Sequence, residues 1–178
     1  SPGKLESHGL TLNWDVNDAL TLKSLTGYRD LSVAYNQDYA ETFLVGFRSL
    51  DDIRSHEFSQ ELQAVGSALD GRVDYVAGLY YFEEAGRHFQ NIVITNALPG
   101  SLPLLLNKDR NVAMRSRSQA AFAQLTWTPP LFDDRLGLTV GGRYTRDERS
   151  AERQLLTTYF GFPIAQEPAP RIINSNDL

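Results

Sequence analysis

The chain contains no cysteine and no long hydrophobic run. Without cysteine, neither a disulfide framework nor a thiolate metal site can form. The longest apolar candidate, residues 76–82 (VAGLYYF), is far shorter than the about 18 residues that a transmembrane helix needs. The first residues, SPGKLESHG, are polar and do not resemble a secretory signal. A basic excess is also missing, because the formal net charge is −5, which argues against non-specific nucleic-acid binding.

Aromatic residues, by contrast, are plentiful at 11%, with 8 tyrosines and 9 phenylalanines in 178 residues. The mean hydropathy of −0.33 is that of a soluble protein. That average is misleading for a transmembrane barrel, whose strands carry as many polar residues toward the lumen as apolar residues toward the lipid. Composition therefore leaves both an all-β soluble domain and an outer-membrane barrel open.

Period-two alternation identifies strands along the chain, most clearly within residues 118–149. One face of the last strand there is apolar and the other is small or polar, which suits a barrel wall better than the bulky inner face of a soluble sandwich. Its apolar face carries Leu136, Leu138, Val140, Gly142 and Tyr144. We predict six strands. Four lie at residues 8–14, 19–30, 56–67 and 73–84, and the other two form a hairpin within residues 118–149.

The connections between these strands alternate in length. Short turns are predicted at residues 15–18, 68–72 and 129–135, whereas residues 31–55 and 85–117 are predicted to be long loops. The tail from Ser150 carries no clear strand pattern. Short turns at one end and long loops at the other are typical of outer-membrane barrels.

Aromatic residues recur at a fixed distance from the short turns. Three strands place a tyrosine eight residues after a leucine or valine, which is roughly 26 Å of strand. Other aromatic residues lie near the turns, so we predict two membrane-interface girdles, although tyrosine and tryptophan also favour strands in general. The predicted girdle residues are Tyr28, Tyr81 and Tyr144 at one level and Trp14, Tyr75 and Trp127 at the other.

These segments resemble the barrel strands of TonB-dependent outer-membrane receptors. The resemblance rests on QAAFAQLTW followed by RLGLTVGGRYTRDER, on FSQELQAVGS followed by RVDYVAGLYYFEE, and on LTLKSLTGYRD, which ends in Gly-Tyr. It implies an antiparallel up-and-down transmembrane β-barrel, of which the chain supplies about six strands. Receptors of this family are barrels of about 22 strands filled by an N-terminal plug. We therefore expect residues 1–178 to be part of a barrel domain, without the plug and the C-terminal strands.

The resemblance also implies a function, which is binding and import of a scarce nutrient rather than catalysis. The expected ligand is a ferric siderophore, with cobalamin, haem or an oligosaccharide as less favoured cargo. The expected partners are outer-membrane lipid and, through the plug, the TonB complex, with no nucleic acid. The expected location is the outer membrane.

Candidate ligand contacts come from the segments predicted to be loops. Residues 31–55 are rich in aromatics, and residues 85–117 carry five basic residues against one acid. This basic cluster suits an anionic ligand or lipopolysaccharide phosphates, and it equally suits pairing with Glu57, Glu61 and Glu83. The predicted contacts are Tyr35, Tyr39, Arg48, Arg87, Arg110 and Arg115.

No catalytic or cofactor motif is found. The three histidines, His8, His56 and His88, lack neighbours at metal-ligand spacing, so we expect no metal site and no cofactor. Two other functions remain open: a soluble periplasmic all-β ligand-binding module, and a non-specific porin-like barrel. In a soluble module, Leu136, Leu138 and Val140 would pack in a dry core.

Overall fold

The computed structural model describes residues 3–39, 45–96, 104–131, 134–160 and 162–167. They form seven strands: β1 (Lys4–Asn17), β2 (Leu20–Asp38), β3 (Val45–Ala68), β4 (Val73–Asn96), β5 (Leu104–Trp127), β6 (Leu138–Tyr159) and β7 (Phe162–Glu167). Within these ranges no helix is long and apolar enough to cross a membrane.

All seven strands belong to one antiparallel sheet in which each strand pairs with the next along the chain. The predicted all-β, up-and-down architecture is confirmed. The Asp-Gly turn between β3 and β4 forms as its sequence predicts, with Asp70 and Gly71 at positive φ and the Arg72 amide donating to the Leu69 carbonyl. An ion pair of 3.1 Å between Arg72 and Asp134 links this turn to the β5–β6 connection.

The strands are longer than predicted, and the expected long loops are largely strand. The ladder between β3 and β4 continues from Ala68–Val73 to Val45–Asn96, 24 residues on each strand. Residues 31–55 and 85–117 therefore belong mostly to β2–β5, and the parts of the predicted loops at 40–44 and 97–103 lie outside the described residues. The prediction failed because both faces of these outer stretches carry polar residues, which removes the alternation signal while leaving the backbone ladder intact.

The prediction of no strand after Ser150 was also wrong. Strand β6 continues to Tyr159, and β7 then pairs with it from Phe162 to Glu167. The sequence QLLTTYF lacks clean alternation, but its leucines, threonines and aromatics favour strands when a neighbouring ladder is available. Leu155 and Tyr159 are therefore paired on both sides, with β5 and with β7.

The register assigns each side chain to one of two faces. We call the face that carries Leu62, Leu79 and Val140 the apolar face, and the opposite one the polar face. Among the described residues the only buried apolar side chains are Ala120 and Pro129. Large apolar side chains are instead exposed on the apolar face: Leu62 is 49% exposed and Val140 is 68% exposed. This sheet does not bury a dry core between two layers.

Candidate functional site: the two faces of the sheet

A continuous apolar band crosses β1–β6 on the apolar face. Between its aromatic borders it contains no Asp, Glu, Lys or Arg among the described residues. Its members are Leu10, Leu12, Leu22, Ser24, Thr26, Gln60, Leu62, Ala64, Ala77, Leu79, Ala121, Ala123, Leu125, Val140 and Gly142. An exposed apolar surface of this extent marks contact with lipid or with another protein.

The three polar side chains of the band satisfy one another. The Thr26 hydroxyl donates to Gln60 Oε1 at 2.7 Å, and Gln60 Nε2 donates to Ser24 Oγ at 2.9 Å. Water would make such pairing unnecessary on an exposed face, whereas in hydrocarbon an unpaired polar group costs several kcal/mol, of the order of 4–8 kcal/mol on an alkane reference. The pairing therefore suits a face that lies against lipid.

Two oblique rows of aromatic residues border the band. The level of a residue is found by following paired residues across the sheet to β4. Tyr28 of β2 is level with position 83 of β4, Tyr81 is itself in β4, and Tyr144 of β6 is level with position 79. The row thus descends one residue per strand. One residue of rise, about 3.3 Å, per strand spacing of about 4.8 Å corresponds to a tilt of about 35°. Transmembrane barrel strands tilt by roughly 35–45°.

The second row descends in the same direction. Trp14 of β1 is level with position 77 of β4, and Trp127 of β5 is level with position 73, while Tyr75 is itself in β4. From β1 to β5 the row therefore descends by four residues over four strands. The two rows are six to seven residues apart, about 20–24 Å of strand and about 16–20 Å along the membrane normal. Side chains at each border extend this height toward the roughly 25 Å of an outer-membrane apolar band.

The polar face carries charges at the same level. Lys23, Glu61 and Arg143 lie there between the two aromatic rows. Gln124 shares this face, and the Arg143 guanidinium stacks 5.6 Å from the centre of the Tyr80 ring. A sheet that is charged on one face and uncharged on the other at one level is the arrangement of a barrel wall between lumen and lipid.

A buried polar cluster lies on the polar face beyond the tyrosine row. The Asp51 side chain is only 3% exposed and accepts three hydrogen bonds. Ser49 Oγ donates to it at 2.7 Å, His88 Nε2 lies at 2.7 Å and Gln90 Nε2 donates at 2.9 Å. The ladder places Tyr35 opposite Asp51. These contacts join β3 to β4 near their outward ends.

Burial alone would raise the pKa of Asp51, but the hydrogen bonds from Ser49, His88 and Gln90 outweigh it and hold the pKa below its ordinary value. The order of contacts is not that of a catalytic triad, because Ser49 donates to Asp51 and not to His88. Among the described residues no group of three potential ligands is placed to hold a metal ion.

Replacing Asp51 with Asn is expected to loosen this end of the β3–β4 ladder. Loss of the carboxylate that three donors share should reduce hydrogen-exchange protection about 10- to 100-fold at pH 7, or about 1.4–2.7 kcal/mol. Because the folded pKa is lowered, this stabilisation is present above about pH 4 and disappears as the pH falls through the folded pKa. The measurement is exchange of the amides around residues 49–53 and 88–92, corrected for intrinsic pH dependence.

The neighbouring substitution Asp52→Asn is the control. Asp52 lies on the apolar face and pairs only with the exposed Arg54 in the described contacts, at 3.0 Å. It should change protection by less than about fivefold, since exposed ion pairs contribute little. Equal losses in both variants would show that the Asp51 cluster has no special role.

A hollow of about 750 Å³ lies beside this cluster on the polar face. Its lining is mostly apolar, with a few polar side chains. Phe82, Met114 and Ala151 are among its apolar residues, and Glu84, His88 and Arg149 are among its polar ones. Gly86 also lines it, on the same face of β4. Such a combination fits a ligand with an apolar body and polar groups at its edge.

The predicted ligand residues divide between the two faces, and they lie in or next to strands rather than in long loops. Tyr35, Tyr39 and Arg110 are at positions of the polar face, where Tyr39 packs against Phe47 with ring centres 5.5 Å apart. Arg48, Arg87 and Arg115 are on the apolar face beyond the tyrosine row. The six residues therefore do not form one site. The pairing proposed for the basic cluster is realised at Glu83, which contacts both Arg115 and Arg117.

The sequence prediction missed the residues of the hollow. Phe82, Glu84, Gly86 and His88 alternate with period two along β4, which places all four on one face. The sequence contains this signal, but the predicted strand ends at residue 84, so Gly86 and His88 fall outside it. The partners on β5 and β6, Met114 and Arg149, become visible only once the register is known.

A family model described as TonB dependent receptor-like, beta-barrel, matches residues 2–168 of the chain. No curated protein matches the chain.

Proposed function

Because the chain belongs to the TonB-dependent receptor-like β-barrel family, whose members are outer-membrane receptors and transporters rather than enzymes, we propose that it forms part of a receptor that imports a scarce nutrient. The single observation that supports this most directly is the contrast between the two faces at one level. An uncharged band bordered by tilted aromatic rows lies opposite Lys23, Glu61 and Arg143.

The proposed orientation follows from the levels of the two rows. The row of Trp14, Tyr75 and Trp127 lies close to the short turns, which would face the periplasm. Strands β2–β6 continue well beyond the tyrosine row, by 15 residues in β4 from Tyr81 to Asn96. These projecting ends would stand outside the membrane and form the wall of an extracellular vestibule.

We further propose that the sheet is one part of a larger closed barrel. Strands β1 and β7 each pair with one neighbour only among the described residues. A sheet edge within hydrocarbon would leave backbone groups without partners, which lipid does not tolerate. Closure by further strands, with a plug inside, is the arrangement that the family resemblance implies.

The proposed cargo is a ferric siderophore, and the hollow is its proposed contact on this part of the wall. The lining of the hollow combines apolar residues such as Phe82 and Met114 with the basic Arg149, which suits an organic chelate with anionic groups. Tyr35 and Arg110 lie on the same face farther outward. A cobalamin, haem or oligosaccharide is a less favoured cargo.

The full-length gene product tests both parts of the proposal. We expect it in the outer-membrane fraction of its host, and we expect deletion of the gene to abolish uptake of one ferric chelate from a panel labelled with radioactive iron. Collapse of the proton gradient should abolish the same uptake. Recovery in a soluble fraction would refute the membrane assignment, whereas correct location with unchanged iron uptake would refute only the cargo.

Filling the hollow is expected to impair uptake without affecting assembly. Met114 lines the hollow and is 54% exposed, so the fold should accommodate Met114→Trp. The larger side chain would occupy space that a ligand in the hollow needs. We expect at least about a tenfold rise in the ligand concentration for half-maximal uptake, equivalent to about 1.4 kcal/mol. Leu125→Trp adds the same group to the apolar face of β5 and should leave uptake unchanged. Equal uptake by both variants would remove the hollow from the proposed ligand path.

A further inference from the structure

Arginine side chains gather on the apolar face just beyond the tyrosine row. Three adjacent strands contribute four of them: Arg87 on β4, Arg115 and Arg117 on β5, and Arg146 on β6. Between the levels of positions 81 and 87 of β4, the acids on the same face are Glu83, Glu148 and Glu152, which leaves a local surplus of one positive charge in a chain of net charge −5. At the same levels β1–β3 have no surplus, because two basic residues, Lys4 and Arg54, face two acids, Glu6 and Asp30.

The height of the arginines is set by the ladder. The arginines are level with positions 81 to 87 of β4. The tyrosine row crosses β4 at position 81 and crosses β6 at the level of position 79. They therefore begin two to six residues beyond the row, about 5–16 Å along the membrane normal after correction for tilt. The headgroup region of a bilayer extends about 5–8 Å beyond each side of the hydrocarbon core. Long arginine side chains reach this region from Arg115, Arg117 and Arg146, whereas Arg87 lies at its outer margin.

Glu83 organises the centre of this group. Its carboxylate accepts a hydrogen bond from the Tyr81 hydroxyl, contacts Arg115 and lies 3.5 Å from Arg117. One carboxylate thus holds two guanidinium groups on one strand, and it cannot saturate the donors of both. The Nε of Arg117 is buried with no hydrogen-bond partner in the described part of the chain. Arg146 pairs with Glu148 at 2.9 Å but remains 60% exposed.

We propose that Arg115, Arg117 and Arg146, with Arg87 at the margin, bind the phosphate of a phosphorylated lipid in the outer leaflet. Guanidinium groups recognise phosphate oxygens through paired N–H donors. Arg115 and Arg117 share one carboxylate, their side chains stay partly exposed, and they lie near headgroup height. The lipid, rather than a soluble phosphate, is favoured because the same face carries the apolar band directly below. Glu83 is a positioning residue that holds the two arginines of β5 side by side. This inference rests on the proposed membrane location and is independent of the cargo.

The experiment uses the full-length gene product in nanodiscs of phosphatidylcholine with about one-tenth phosphatidic acid, a lipid with an exposed phosphate group. After extraction into mild detergent, native mass spectrometry counts the retained lipids. We expect retention of phosphatidic acid over phosphatidylcholine, and at least about a tenfold loss of that preference in the double variant Arg115→Gln/Arg117→Gln. The matched control, Arg29→Gln/Arg143→Gln, removes the same charge from the polar face and should keep the preference.

Three results would overturn the proposal: equal retention by the double variant and the native protein, equal loss in the control, or displacement of the lipid by millimolar inorganic phosphate alone. The last would assign the site to soluble phosphate. Both variants must first reach the outer membrane in native amounts, and Arg115→Lys/Arg117→Lys, which preserves charge, replaces the double variant if it does not assemble. Failure of the native protein to locate there would refute the proposed function, whereas correct location without lipid preference would refute this inference alone.

Discussion

Leu62→Arg is expected to destabilise the assembled barrel by about 2–4 kcal/mol, the cost measured for arginine at the midplane on the lipid face of such barrels. Leu62 lies midway between the two aromatic rows on the apolar face and is 49% exposed. In water, an exposed leucine is replaced by arginine with little effect, within about 0.5 kcal/mol. The substitution should therefore be strongly destabilising on a lipid-facing surface and nearly neutral on a surface that faces water.

Gln63→Arg, one residue farther along β3, is the matched control. Gln63 lies on the polar face at nearly the same level and donates to Glu61 at 2.6 Å, so an arginine there gains a carboxylate partner. The amount of each variant folded in the outer membrane, and the urea concentration needed to unfold it from lipid vesicles, provide the comparison. Equal stability of the two variants would contradict the assignment of the apolar face to lipid.

Gly66→Val is expected to be the most disruptive substitution at a glycine of the apolar face. A Cβ at Gly66 would lie 2.1 Å from the Ala19 carbonyl oxygen and 2.6 Å from the Tyr75 hydroxyl, which itself lies 3.4 Å from that carbonyl. A side chain there must displace backbone, so the cost should reach or exceed the about 1–3 kcal/mol that is typical of overpacking. It would also displace Tyr75 from the aromatic row near the turns. Reduced assembly and a lower urea midpoint would report both effects.

Gly142→Val tests whether valine itself is responsible. A Cβ at Gly142 meets nothing within 4 Å, and Gly142 lies on the same apolar face within the band. Valine favours strands, so this variant should be neutral or slightly stabilising. A destabilised Gly142→Val protein would indicate that the face is covered by something in the assembled barrel.

Much of this fold is encoded in local alternation. All six predicted girdle residues lie on the apolar face. The turn predicted at residues 68–72 is confirmed, the one predicted at 15–18 lies at 18–19, and β5 and β6 end on either side of the one predicted at 129–135. Leu138, Val140, Gly142 and Tyr144 share one face as their spacing indicates, and Val140 and Tyr144 are largely exposed. That exposure contradicts the dry core which the soluble module required. Leu136 is an exception, because it precedes β6 and is partly buried.

The remaining features depend on pairing between strands, which alternation does not specify. Arg115 and Arg117 appeared as part of one basic segment with Arg110, yet strand geometry places Arg110 on the opposite face. The hydrogen bonds of Gln60 with Ser24 and Thr26 join residues more than 30 positions apart. Their partnership follows from register, and register is set by the whole ladder and its turns.

The aromatic rows descend by one residue per strand, and the strand tilt that this implies also determines the circumference of a barrel built from such strands. At a tilt of about 35°, each strand occupies about 5.9 Å of circumference, from a spacing of about 4.8 Å. The seven strands would then span an arc of about 41 Å, about a third of a ring of 22 strands whose diameter is about 41 Å. Closed upon themselves, the same strands would make a cylinder only about 13 Å wide. Barrels of about eight strands are filled by their own side chains, so the proposed import of a nutrient would need the wider ring.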